Sequence, residues 1–164
     1  MKFPLEVTEQ MREAMLLNGI LYNSEAWHGV TNAHIAKLES VDESLLRGIL
    51  QAHSKTPKEF LYLETGVLPI KFVLAQRRIN YLKHIVSRDE HELIKKVFNA
   101  QQVNPTRGDF VNLVNNDLQM MDLSYDEVTS NKMTKHELKA RLKQCVQSEA
   151  LSSLISKLKE HSKS

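Results

Sequence analysis

Gly19-Ile20-Leu21-Tyr22-Asn23-Ser24-Glu25-Ala26-Trp27 holds the chain's only tryptophan, a tyrosine and an acid within an apolar run. Leu16, Leu17, Ile20, Leu21 and Ala26 read as the buried side of a helix end, and the helix is expected to stop near Asn23-Ser24. Tyr22 and Trp27 each bring a large apolar body with one polar tip that seeks a partner when buried. Glu25 lies between them as the candidate acceptor. Tyr22, Glu25 and Trp27 are therefore expected to form a structural lock, with both rings buried against the next helix.

Working outward, Thr8 before Glu9 predicts an N-cap for a first helix carrying Met11, Met15, Ile20 and Leu21 on its apolar side. Downstream, Thr31 is expected to cap a second helix to about Ala52, with Ile35, Leu38, Val41, Leu45, Leu46 and Ile49 inward. Its other face, with Lys37, Glu39, Asp42, Glu43 and Arg47, reads as solvated. Thr56-Pro57-Lys58-Glu59 predicts a capping box with proline at the first helical position, and Gly66 closes that short helix. Pro69 restarts a helix with Phe72, Ala75, Ile79, Leu82 and Val86 buried. Further helix starts fall after Ser87-Arg-Asp-Glu90, at Thr106-Arg-Gly-Asp109, and at Thr134 with Glu137, which opens the longest helix; a weaker turn lies at Ser124. No segment alternates like a strand.

The fold class that follows is all-α: an irregular helical bundle of about seven helices with no sheet. Two domains are expected, a helical body over 1–131 and a C-terminal basic amphipathic helix over 132–164 that packs on it or extends as a linker. Hydrophobic residues at 41% and charged residues at 26% are those of an ordinary soluble globular protein. The single cysteine, Cys145, excludes an internal disulfide and a cysteine-based zinc site, and its apolar neighbours make it a core thiol. With no apolar run of membrane-spanning length, the chain is expected to be intracellular, in nucleus or cytoplasm, without a membrane partner.

The blocks around Trp27 also carry a resemblance. Non-LTR (LINE-type) retrotransposon reverse transcriptases contain, after the polymerase palm, a segment of the form Leu-Leu-Tyr-Gly-x-Glu-x-Trp, then a Leu- and Glu-rich helix ending in Leu-Arg-x-Ile-Leu. This chain has Ile20-Leu-Tyr-Asn-Ser-Glu-Ala-Trp27, then Ile35-Ala-Lys-Leu-Glu39, then Leu45-Leu-Arg-Gly-Ile-Leu50, in the same order. The match covers roughly the first third of the chain. Asn23 stands where the family usually has glycine, and asparagine is among the non-glycine residues that most readily adopt positive φ, so the turn is expected to survive. The resemblance implies that residues 1–131 are a thumb or post-palm domain of an RNA-directed DNA polymerase. It further implies RNA or an RNA–DNA duplex, and the rest of a larger polyprotein, as partners.

Charge is distributed unevenly enough to suggest where such a partner would bind. Residues 69–96 hold seven Lys/Arg against three Asp/Glu, and 132–143 hold five against one. Arg77, Tyr81, His84 and Arg88 recur at helical spacing with Arg78 and Lys83 beside them, a basic row containing an aromatic, suited to phosphates and to stacking. The plainer reading is a solvated amphipathic face. Lys132, Lys135, Lys139, Arg141 and Lys143 form the second basic block, with His136 among them. They crowd the start of the last helix, where cations oppose the helix dipole, so a bound phosphate backbone would account for them. Neither Asp89-Glu-His-Glu92 nor any other His/acid grouping has metal-ligand spacing, and no cofactor is implied. The paired aspartates that hold polymerase metals are absent, so the chain is expected not to be an enzyme on its own. The rival reading is a stand-alone helical protein–protein interaction module, conceivably a host protein derived from a retroelement.

Overall fold

The computed structural model describes residues 5–130 and 133–161, excepting the side chains of Leu5, Leu158, Glu160 and His161. Among the described residues there are eight helices and no strand, so the protein is all-α. The first, α1, begins as Leu5–Arg12, widens into a π-helical turn at Glu13–Leu17 and ends on the α turn Asn18–Ile20. That widening changes which side chains turn inward. Thr8, Arg12 and Leu16 are buried at four-residue spacing, but the next buried residue is Leu21, five further on. Met15 and Ile20, expected inside, are 63% and 43% exposed. A π turn takes one extra residue, so a stripe counted at three-and-four spacing falls out of phase. Thr8 is buried within the helix and does not start it.

Asn23 follows at φ 53°, the left-handed conformation expected of it, and opens the 3-10 turn Ser24–Ala26. α2 (Asn32–Leu50) is capped as expected, the Thr31 hydroxyl accepting from the His34 N–H at 3.3 Å. α3 (Lys58–Thr65) has Pro57 at its N-cap without a side-chain cap; Glu59 is used elsewhere, and Gly66 closes the helix at φ 65°. α4 spans Ile70–Val86, α5 Leu93–Val103 and α6 Phe110–Met120, the last capped by Asp109, which accepts from Asn112 N–H at 2.8 Å. Ser124 and Glu127 form a full capping box on α7 (Tyr125–Thr129). Thr134 and Glu137 do the same for α8 (Lys135–His161), with Glu137 N–H to Thr134 Oγ1 at 3.1 Å and Thr134 N–H to Glu137 Oε2 at 2.6 Å. These backbone and hydroxyl donors hold the carboxyls of Glu127 and Glu137 below the usual range.

The chain divides into two compact units that are not consecutive stretches, with boundaries inside α2, α4 and α8. The first comprises the described residues of 1–22, 35–71 and 143–164. Leu16, Leu21, Leu46, Leu61 and Ile70 are buried in it. So is Asp42, which the sequence placed on a solvated face. Its partner is Arg12, four residues before Leu16 on α1: Nε to Oδ1 is 2.6 Å and Nη2 to Oδ2 2.7 Å, with Nη2 also donating to the Leu68 carbonyl at 2.7 Å. The Tyr62 hydroxyl donates to Asp42 at 3.2 Å, and burial, with the Asp42 charge, raises the phenol well above its ordinary range. A buried carboxylate is tolerable only when paired and hydrogen-bonded, and here it is both. Glu59 is likewise buried, accepting from Ser153 at 2.7 Å and Lys157 at 2.8 Å.

The second unit comprises residues 23–34 and the described part of 72–142. Phe72, Leu74, Ile79, Leu82, Val114, Met121, Leu138 and Leu142 are its fully buried large side chains. Phe98 and Phe110 meet edge to face at 6.3 Å. The segment 23–34 is tied to 72–142 by backbone: Gly29 N–H donates to the Gly108 carbonyl at 2.9 Å. Both glycines have positive φ, and a Cβ on Gly108 would lie 3.3 Å from Gly29 Cα, a tight contact, so glycine suits the approach.

Candidate nucleic-acid interface

Within the second unit, α4 presents Arg77, Asn80, Tyr81 and His84 at three- and four-residue intervals, which puts them on one side of the helix. The left-handed turn at Asn23 delivers Glu25 to the same place. These five residues line an open groove of about 410 Å³. Ser24, fully buried, anchors the turn by accepting from Arg77 Nη1 at 3.2 Å. Its aromatic members are Tyr81 and His84, which stack with 14° between planes and 6.1 Å between centroids, and Tyr81 also meets Phe110 edge to face at 5.6 Å. At the rim, the exposed Arg88 directs its guanidinium to His84 Nε2 at 3.1–3.2 Å, with Glu92 at 3.8 Å. Asn80 Oδ1 is shut off from solvent and has no hydrogen-bond partner. The arrangement combines a guanidinium, a carboxylate and two stacked rings in one concavity, with the unpartnered Asn80 amide oxygen beneath its surface.

The sequence-predicted site residues thus separate. Arg77, Tyr81 and His84 come together, with Arg88 beside them. Arg78 does not join them. It lies about a quarter turn away on α4, buried, where Nε and Nη2 hold the Asp117 carboxylate at 2.6 and 2.8 Å. The expected place for Arg78 beside Arg77 does not hold for a geometric reason: adjacent helix positions are 100° apart, and Arg78 turns into the core. Lys83 is half-buried and donates to the Met133 carbonyl. On α8, Lys135, His136, Lys139, Arg141 and Lys143 are all exposed. Lys135, Lys139 and Lys143 follow every fourth residue, whereas Arg141 points away from that row. Lys132 lies outside the described residues.

The expected lock around Trp27 needs correction. Tyr22 is 72% exposed, Trp27 is half-buried and Ala26 is exposed, while Leu21 and Ser24 supply the buried positions of the turn. Ser24 is small and already bonded by Arg77, so burying it satisfies the turn at lower desolvation cost than burying a phenol hydroxyl. Glu25 belongs to the groove. Asn80 was missed because one amide in a helix carries no pattern; only its place between Arg77 and His84 at helical spacing could have flagged it.

Among the described residues, no group of His, Cys, Asp and Glu is arranged to hold a metal ion, and no helix is long and apolar enough to cross a membrane. Cys145 is half-buried. Compared with known proteins, the chain matches no family model, no curated protein and no solved structure.

Proposed function

We propose that the protein is a nucleic-acid-binding helical fragment of a retrotransposon-type RNA-directed DNA polymerase, which grips template RNA or an RNA–DNA duplex and is not catalytic by itself. One observation carries the binding half of this reading: Arg77, Tyr81 and His84 line a single groove with Arg88 at its edge. Cations and a stacking surface in one concavity are what strand binding uses. The polymerase half rests on the three sequence blocks from Ile20 to Leu50, and the left-handed Asn23 supports it, because that conformation suits the position where LINE-type enzymes have glycine. Lys135 and Lys139 of α8, both exposed, are further cations of the same unit.

The test is the salt dependence of binding to an RNA–DNA duplex, read by fluorescence anisotropy. Each phosphate contact contributes about 0.7–0.9 to the slope of log affinity against log salt. Changing Arg77 and Arg88 together to Gln is expected to lower the slope by about two contacts. Arg78 is excluded from this variant, because it sits in the core. Undetectable binding at low salt would overturn the reading. It would favour the interaction-module alternative, which rests on Leu93, Val97 and Val103, all exposed along α5.

A further inference from the structure

The polar inventory of the groove is more specific than a phosphate grip requires. Arg77 can only donate. Glu25 can only accept, and Asn80 Oδ1 is an acceptor with no partner. The terminal torsion of asparagine is broad and two-fold, so rotation of the amide can present that oxygen to a ligand. A ligand that uses all of these groups combines negative charge for Arg77, a planar face for the aromatic side chains, and an edge carrying several donors.

Among the nucleobases one edge meets that demand. Guanine offers adjacent N1–H and N2–H donors, to which a carboxylate accepts bidentately, and its amino group keeps a second hydrogen for a neighbouring acceptor. Adenine and cytosine put an unprotonated ring nitrogen beside their amino group, and its lone pair repels a carboxylate. Uracil has one N–H flanked by two carbonyls. A volume of about 410 Å³ lies within the usual range for small-ligand sites of ~300–1,000 Å³. RNA is commonly read through unstacked bases laid on aromatic side chains and bonded along their Watson–Crick edges.

We propose that the groove formed by Glu25, Arg77, Asn80, Tyr81 and His84 holds an unpaired guanosine of a nucleic-acid strand, its base edge on Glu25 and Asn80 and its phosphate on Arg77. This rests on the nucleic-acid reading above and adds base selection to it. Discrimination by one bidentate pair amounts to about 5- to 150-fold.

The test uses the full chain and five labelled RNA stem-loops, identical except for one bulged nucleotide, G, A, C, U or inosine. The guanosine bulge is expected to bind about 5- to 150-fold tighter than A, C or U, and inosine, which keeps N1–H and loses the amino group, is expected to fall between. Glu25→Gln should bring the G-to-A ratio to within about twofold, with circular dichroism confirming the fold. The parent comparison stands even if that variant misfolds. Free GMP competes for the same chemistry. If micromolar GMP displaces the guanosine bulge, the site serves a free nucleotide and the strand-borne assignment fails. Equal affinity for all five stem-loops with an intact salt slope overturns base selection and leaves the nucleic-acid function standing, whereas no binding to any of them overturns both.

Discussion

Replacing Arg78 by Gln removes the counter-charge of a buried carboxylate, and the structure sets the scale of the loss. Arg78 and Asp117 side chains are only 5% and 9% exposed, and two charge-assisted bonds of 2.6 and 2.8 Å join them. A glutamine supplies neither the charge nor the planar fork. Breaking a buried pair from one side costs about 3–5 kcal/mol, because the other charge is stranded. Urea unfolding followed by far-UV circular dichroism at pH 7 should show the midpoint falling by about 2 M, given a slope of about 1–3 kcal/mol per M. The loss should also depend on pH. Burial raises the Asp117 carboxyl above its ordinary 3.8 even with Arg78 opposing, and removing Arg78 raises it further. A carboxyl raised in the folded state contributes its full stability below the unfolded value and loses it as pH climbs through the folded one. The deficit of Arg78→Gln should therefore shrink from pH 7 toward pH 4. Arg77→Gln, one residue away and only half-buried, should cost less than Arg78→Gln. A deficit for Arg78→Gln below about 1 kcal/mol at pH 7, or one unchanged down to pH 4, would refute the argument.

Three further outcomes are expected. Lys157→Met should reduce acid resistance: burial alone would raise the Glu59 carboxyl, but the Lys157 and Ser153 hydrogen bonds bring it down from 4.5 to about 2. At ~1.4 kcal/mol per pH unit that is ~3 kcal/mol, and with Lys157 half-exposed about 1–2 kcal/mol remains after screening. The contribution is present above the unfolded value and vanishes as pH falls toward 2, so parent and variant should converge there in acid titrations monitored by circular dichroism. Asn23→Gly should change thermal stability little, whereas Asn23→Val should lower it by about 1–3 kcal/mol, because φ 53° strains a β-branched residue. Gly108→Ala should cost more than about 1 kcal/mol in the same melt, through its φ of 88° and the 3.3 Å approach to Gly29.

Helix positions and caps were legible in the sequence because their signals are local. Thr31, Gly66, Asp109, and the Thr134–Glu137 box act on neighbours two to four residues away, and each is found in its expected role. Burial of charged residues was not legible. Asp42 and Arg78 look like surface residues until Arg12 and Asp117, 30 and 39 positions distant, are brought to them by the fold. Thr56-Pro57-Lys58-Glu59 misled for a related reason: Glu59 has the spacing of a capping box, but Lys157 and Ser153, remote in sequence, compete for its carboxylate and win it. Of the groove, Arg77, Tyr81, His84 and Arg88 were visible as a periodic row. Glu25 reaches it only through the turn geometry at Asn23.

The π turn of α1 bears on how the chain tolerates changes in length. A helix with one residue too many in a turn can lose one and become regular. Gly19 is exposed, and its Cβ position meets nothing within 4 Å. Deleting it would bring Leu21 to four residues from Leu16, continuing the spacing of Thr8, Arg12 and Leu16 along an unbroken α-helix. The same deletion within α2 would rotate Leu46 and Ile49 by 100° relative to Asp42 and empty the buried face. Single-residue deletions scanned through both helices should therefore be tolerated at the π turn and lethal to folding in α2.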